Sequence, residues 1–86
     1  MISKEVTVNN ASGLHARPAT LVVKKASEFA SNVNIEYNGR KGNAKSLLGV
    51  LSLAVCKGAS IKLVIDGTDE VRASDELVKL IETITE

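Results

Sequence analysis

The chain is 86 residues long, which is enough for one domain spanning residues 1–86 and too short for two. A domain of this size buries only about 60% of the surface that its unfolded chain exposes, so a functional site should lie on the surface. The formal net charge is +1, and Phe29 and Tyr37 are the only aromatic residues. This composition argues against nucleic-acid binding, which relies on basic surfaces and on aromatic side chains that stack with bases.

The single cysteine, Cys56, has no partner for an internal disulfide or for a structural zinc site. We expect it to be a buried, small apolar side chain in a reducing compartment. Residues 1–10 intersperse polar with apolar side chains, so no signal peptide is expected, and no apolar run exceeds four residues. These features predict a cytoplasmic protein without membrane insertion. Nothing in the sequence calls for a metal or a cofactor.

The first half of the chain predicts a strand, a loop and a helix. Residues 2–8 place their apolar side chains on one parity, which is typical of a half-buried strand, and the small polar residues 9–13 predict a loop. A helix should begin near Ala16, because Pro18 is tolerated only in a first turn. The apolar face of this helix follows the i, i+3, i+4, i+7 spacing and consists of Ala19, Val22, Val23 and Ala26.

A hairpin is predicted next. Residues 33–37 alternate again, and Asn38 and Gly39 follow at once. An Asn-Gly pair supplies the two positive φ angles of a type I′ turn, so the chain should return as a second strand over Arg40–Asn43. This return strand is short and polar, as an edge strand should be.

The second half predicts a short helix, a strand and a long helix. Ser46 is placed to cap a helix from Leu47 to about Leu53, and the apolar parity of residues 61–65 predicts a fourth strand. Asp69 and Glu70 put negative charge at the start of the last helix. The apolar face of that helix comprises Ala73, Leu77, Leu80, Ile81 and Ile84. The order βαββαβα predicts an α+β fold with a four-stranded antiparallel sheet and three helices on one face.

The stretch from Gly13 to Pro18 carries the most informative chemistry. His15, the only histidine, falls in the last loop position before the first helix, where unpaired backbone N–H groups and the helix dipole favour an anion. Arg17 adds a permanent cation with several donors. Imidazole titrates near neutral pH, so an unprotonated ring nitrogen can act as a nucleophile. These groups suit the transient attachment of phosphate to a ring nitrogen.

Other interpretations stay open on these residues alone. A lone histidine at this kind of junction more often simply caps the helix, with Arg17 as a solvated surface charge. A metal site is disfavoured, since no second histidine and no nearby Cys or Asp completes it. A hydrolase triad has no acidic residue close to His15 in sequence, although a distant one is compatible with the pattern.

Two motifs resemble the phosphocarrier protein HPr family of the bacterial phosphoenolpyruvate:sugar phosphotransferase system. Residues 13–19, with the sequence GLHARPA, resemble the active-site signature of that family. Residues 43–53, with the sequence NAKSLLGVLSL, resemble its regulatory serine region. The chain length, the element order and the spacing between the motifs also agree over the whole chain. The resemblance implies an open-faced β-sandwich.

The resemblance also implies a function. Enzyme I phosphorylates His15 on its pros nitrogen at the expense of phosphoenolpyruvate, and the phosphoryl group passes to enzyme IIA components of sugar permeases. Arg17 is implied to face the phosphate. Ser46 is implied to be the target of an ATP-dependent kinase/phosphorylase in Gram-positive-type systems, where the seryl-phosphorylated form is a corepressor for a catabolite control protein. The protein would thus be a stoichiometric carrier with a phosphohistidine intermediate and not an enzyme.

Partner docking is expected beside His15. Neighbouring residues on a short helix cannot all face inward, so Leu47, Leu48 and Leu51 predict an exposed apolar patch, and Thr20 is a further candidate contact. On geometry alone Ser46 is a plain helix cap. The sequence departs from the common pattern of the family at these three leucines and at Ala54, where the family often has glycine. These departures leave the choice of partner open.

Two alternatives to the sugar carrier remain. One is a paralogue that serves a nitrogen-regulatory branch of the same system. The other is a binding protein that acts only in regulation; a regulatory relative lacks the active-site histidine, so the presence of His15 argues against that class. We expect a monomer.

Overall fold

A computed structural model describes residues 1–9 and 13–84 of the chain. The elements are β1 Ile2–Thr7, α1 Ala16–Ala26, β2 Asn32–Tyr37, β3 Arg40–Asn43, α2 Leu47–Leu51, β4 Ser60–Asp66 and α3 Glu70–Thr83. The four strands pair antiparallel in the order β1-β4-β2-β3. The predicted α+β class, the βαββαβα order and the antiparallel sheet are confirmed. No helix in the described part of the chain is long and apolar enough to cross a membrane.

The two faces of the sheet differ as the strand parity predicted. Alternate residues of the central strands β2 and β4 are buried beneath the helices, with Ile35, Leu63 and Ile65 fully enclosed. The opposite parity faces solvent and carries a row of alternating charge across the four strands: the register pairs Glu5 with Lys62, Lys62 with Glu36, and Glu36 with Lys41. Opposite charges placed directly across neighbouring strands stabilise a sheet.

The helices bury the faces that their spacing predicted, with small differences. In α1, Pro18, Ala19, Val22 and Ala26 are buried, whereas Val23 is half-buried. In α3 the buried residues include Ala73, Leu77 and Ile81, and Leu80 is half-buried. An ion pair connects the two helices: the Glu76 carboxylate of α3 lies 3.0 Å from the Lys25 ammonium of α1. The same carboxylate also lies 2.8 Å from Arg72 Nε, within α3.

The predicted hairpin turn is confirmed. Asn38 and Gly39 have φ angles of 54° and 79°, which is the left-handed pair that a type I′ turn requires. Among the described strands, the return strand β3 lies at an edge of the sheet and pairs with β2.

Two sequence predictions are wrong. Cys56 is exposed and not buried. It lies in the irregular segment between α2 and β4. The second helix ends at Leu51 and not at Leu53. It stops there because Leu53 N donates to Val50 O, three residues back, and Ala54 then takes a positive φ of 54°, which no α-helix can continue.

Candidate functional site

His15 occupies the N-cap position of α1, as the sequence predicted. Its backbone is extended (φ −81°, ψ −169°), and its carbonyl oxygen accepts the first helical hydrogen bond from Ala19 N at 2.8 Å. The imidazole is exposed and does not cap the helix with its side chain. The plain capping interpretation therefore loses its main support, since the imidazole makes no capping hydrogen bond. A solvent-facing ring in front of a helix N-terminus suits a nucleophile that receives an anionic group.

The first turn of α1 carries a cation, Arg17, two residues after His15. Arg17 is exposed, and α1 has no acidic residue in its first turn. Ala16, Arg17, Thr20 and Leu21 line a shallow surface depression. The Thr20 hydroxyl donates to the carbonyl of Ala16 at 2.6 Å, so its proton is already engaged within the helix. Thr20 can therefore offer a partner its methyl group and its oxygen lone pairs.

Ser46 is the N-cap of α2, as predicted. Its backbone is extended, and its Oγ accepts a hydrogen bond from Gly49 N at 3.1 Å. The preceding turn is closed by Lys45 N, which donates to Asn43 Oδ1 at 2.8 Å. Gly49 lies so close to Asn43 that an added Cβ would come within 3.2 Å of the Asn43 carbonyl oxygen. The Ser46 hydroxyl is thus held in a defined place at the start of a short helix.

The three leucines of α2 do not share one environment. Leu48 is 79% exposed and Leu47 is 40% exposed, whereas Leu51 is half-buried and packs against the core. The structure therefore places Leu47 and Leu48 on the surface as predicted, and Leu51 mostly beneath it. Leu21 of α1 is 39% exposed, and α1 packs against α2. Sequence reasoning did not select Leu21, although its place off the buried face of α1 was visible in the helical spacing.

A metal centre finds no support in the described ranges 1–9 and 13–84. They contain no group of three or more His, Cys, Asp or Glu side chains arranged to hold a metal ion.

Comparison with known proteins agrees with the fold and the motifs. Residues 2–83 match the family model described as "PTS HPr component phosphorylation site". The HPr-like protein Crh of Halalkalibacterium halodurans is 45% identical over 82 residues, covering 95% of this chain and 98% of that protein.

The similar solved structures include proteins described as HPr and proteins described as Crh. HPr from Thermoanaerobacter tengcongensis superposes with a TM-score of 0.94 at 44% identity, over 96% of this chain and 93% of that chain. Crh of Bacillus subtilis, described as a swapped, intertwined dimer, superposes with a TM-score of 0.79 at 40% identity, over 100% and 99% of the two chains. By its sequence, its motifs and its fold, the chain belongs to the HPr family of phosphocarrier proteins.

Proposed function

We propose that this protein is a phosphoryl carrier that accepts a phosphoryl group on His15 from phosphorylated enzyme I, and ultimately from phosphoenolpyruvate, and passes it to enzyme IIA components for sugar uptake. The observation that carries the proposal is the exposed imidazole of His15 at the N-cap of α1, which makes no side-chain cap and lies before a helix start without acidic residues. Membership of the HPr family supports the same assignment.

The chemistry follows from the groups at this helix end. The pros nitrogen (Nδ1) of His15 attacks the phosphorus atom, the bond from phosphorus to the donor breaks, and the electron pair of that bond leaves with the donor. While the phosphoryl group moves from the donor to Nδ1, the guanidinium of Arg17 and the positive end of α1 stabilise the changing charge on its three oxygens. The carrier supplies a residue to be modified and is not an enzyme. It uses no cofactor, and one phosphoryl group is carried per chain.

The proposal includes a regulatory site and a docking surface. A phosphate on Ser46 would add charge at the start of α2, immediately before Leu47 and Leu48, the two exposed leucines. We assign Leu47, Leu48, Thr20 and the accessible part of Leu51 to docking of enzyme I and enzyme IIA. A kinase/phosphorylase acting on Ser46 and a catabolite control protein are the regulatory partners. The carrier acts as a monomer in the cytoplasm.

The decisive experiment is phosphorylation with purified enzyme I and labelled phosphoenolpyruvate. We expect one phosphoryl group per chain in an acid-labile, alkali-stable adduct, because a phosphoramidate hydrolyses readily once it is protonated. His15→Ala should abolish the adduct and leave the melting temperature near that of the wild type, since the exposed ring adds little to the core. An acid-stable adduct, or a labelled His15→Ala variant, would overturn the assignment.

Arg17→Ala tests the role of the guanidinium separately. We expect slower transfer from enzyme I with nearly unchanged affinity, because the charge on the phosphoryl oxygens changes most during transfer. Arg17→Lys keeps the charge without the planar fork and should recover only part of the rate. Equal transfer rates for all three proteins would refute the role.

A regulatory-only function is the second candidate, because a solved structure described as Crh, the Bacillus subtilis catabolite repression HPr, is 39% identical to this chain. That function needs the Ser46 region and makes no use of a phosphorylated histidine. The two candidates separate in the enzyme I experiment, where only the carrier forms an adduct. If the adduct forms, transfer to sugar-specific or nitrogen-branch IIA proteins decides the branch. Light scattering of the purified protein decides between a monomer and a dimer, which matters since the relative from Bacillus subtilis is described as a dimer.

A further inference from the structure

One segment of the chain, residues 54–59, lies beside both ends of the loop that carries His15; we call it the support segment. At the start of that loop, directly after β1, Val8 makes two backbone hydrogen bonds to it. Gly58 N donates to Val8 O at 2.7 Å, and Val8 N donates to Ala59 O at 2.9 Å. Val8 is fully buried. The chain therefore enters the loop from a fixed point on the support segment.

The other end of the loop is fixed to the same segment. Leu14, directly before His15, is buried, and its amide donates to Val55 O at 3.0 Å. Gly13 has a φ of +63° and lies flat on the same backbone: an added Cβ would overlap the Val55 carbonyl oxygen and come within 2.9 Å of Cys56 Cα. Such a contact leaves no room for a side chain, because carbonyl oxygen and backbone carbon cannot move aside independently.

The end of α2 determines where the Val55 carbonyl lies. After the helix, Ala54 N donates to Leu51 O at 3.1 Å, and Ala54 then takes a φ of 54°. A left-handed conformation is uncommon for a residue other than glycine, and such conformations are found where the surrounding structure fixes them. This reversal turns the chain from α2 toward the His15 loop. The placement of Gly13 and Leu14, which lead into His15, is thus tied to α2.

The imidazole of His15 has no side-chain partner of its own in the described residues that would fix its place. It is exposed and makes no capping bond, so its position follows from the backbone that leads into α1. We propose that the support segment positions the His15 imidazole for phosphoryl transfer, acting through the backbone of Gly13 and Leu14. The inference rests on the carrier function proposed above. It makes Gly13 and Val55 positioning residues, and a displacement of the reacting atom by about 1 Å can slow a reaction about 100-fold.

Gly13→Ala tests the inference, with Gly39→Ala as the matched control. Both glycines have positive φ angles, +63° and +79°, so both variants carry similar backbone strain. Only at Gly13 does the new Cβ meet the support segment, since nothing lies within 4 Å at Gly39. We expect kcat for transfer from phosphorylated enzyme I to fall about 10- to 100-fold in Gly13→Ala with KM little changed, and to stay at the wild-type value in Gly39→Ala. Equal kcat values in the two folded variants would overturn the inference.

A second pair of variants keeps the test decisive if Gly13→Ala does not fold. Ala54 and Asn38 are both exposed, and both have a φ of 54°. Valine is strongly disfavoured at this φ, so Ala54→Val and Asn38→Val should lower the melting temperature similarly. Only Ala54→Val should lower kcat, by about tenfold, because only Ala54 sets the path of the support segment. A wild-type kcat in Ala54→Val would contradict the proposal.

The ring signals of His15 give a readout that does not depend on phosphorylation. His15 is the only histidine, so its imidazole proton resonances need no assignment. We expect them to move in Gly13→Ala and Ala54→Val and to stay in place in Gly39→Ala and Asn38→Val. A wild-type protein that accepts no phosphoryl group would refute the carrier function alone. Ring signals that stay in place in Gly13→Ala and Ala54→Val would refute the positioning alone.

Discussion

The N-cap of α2 allows the effects of charge and of stability at Ser46 to be separated. The Ser46 hydroxyl accepts a hydrogen bond from Gly49 N at 3.1 Å, and aspartate or asparagine can accept the same bond. Ser46→Asp also places a negative charge at the positive end of the helix, which is favourable by about 0.3–1 kcal/mol at an exposed site. Ser46→Ala loses the cap, which costs about 1 kcal/mol. In a domain of this size that loss lowers Tm by about 4–8 °C.

The same charge should weaken docking. Leu47 and Leu48, which follow Ser46, are 40% and 79% exposed, and a partner that covers them must remove water from any charge beside them. We therefore expect Ser46→Asp to bind enzyme I at least about tenfold more weakly than the wild type, equivalent to about 1.4 kcal/mol. Ser46→Asn, which has the shape of aspartate without its charge, should bind like the wild type. Phosphorylation of Ser46 should act in the same direction as Ser46→Asp.

The assay is titration calorimetry with enzyme I, together with thermal unfolding of the same proteins. Ser52→Asp is a control at the opposite end of α2, where the Ser52 hydroxyl donates to Gly49 O at 2.8 Å. A carboxylate cannot make that donation and meets the negative end of the helix, so Ser52→Asp should be less stable than the wild type. Equal enzyme I affinities for Ser46→Asp and Ser46→Asn would place Ser46 outside the docking surface. A Tm of Ser46→Asp below that of Ser46→Ala would refute the argument from the helix dipole.

Two further predictions concern the stability of the fold. Hydrogen bonds from the Ser31 hydroxyl and from two backbone amides lower the pKa of Asp69 in the folded state. The Asp69 carboxylate therefore stabilises the fold at pH values above its unfolded-state pKa. This contribution is lost as the pH falls through the folded-state pKa of Asp69. In Asp69→Asn, the free energy of unfolding should fall less steeply with decreasing pH than in the wild type, as measured by urea titrations from about pH 2 to 7. An unchanged pH dependence would refute this. Lys62 lies opposite Glu5 and Glu36, so Lys62→Glu should lower the unfolding free energy by about 1–2 kcal/mol at low salt, more than Lys62→Gln does. A difference between these two variants that persists in about 1 M salt would show that it is not electrostatic.

Local periodicity was enough to predict the elements because each one buries a single face. The parity of residues 61–65 and the helical spacing from Ala73 to Ile81 both correspond to side chains that are enclosed in the core. Pro18 marked the first turn of α1, and the Asn-Gly pair marked the turn of the hairpin, since both restrict φ directly. The strand order β1-β4-β2-β3 was not predictable in this way, because it depends on pairing between distant segments.

Features set by tertiary contacts were predicted less well. Cys56 was expected to be buried on its residue type alone, and its exposure depends on how the chain crosses the surface between α2 and β4. The end of α2 at Leu51 follows from the reversal at Ala54, a residue with no intrinsic preference for a positive φ. At the candidate site, the helix-capping positions of His15 and Ser46 were predictable because they depend on a few adjacent residues. The contact of Gly13 with Val55 was not, because 42 positions separate the two residues in the sequence.

The exposure of the His15 ring is consistent with what a carrier requires. Each contact that the protein made to a bound phosphoryl group would stabilise the phosphorylated state and raise the barrier to onward transfer. A ring that is placed by its backbone can instead be oriented for two successive partners without being held by side chains. Substitutions of residues that stabilise the sheet, such as Lys62, should then change Tm and leave the rate of transfer unchanged. Residues 54–59 are different from such sheet residues, because they follow α2 and contact Val8, Gly13 and Leu14. Substitutions in this segment should therefore change both the stability of the fold and the rate of transfer.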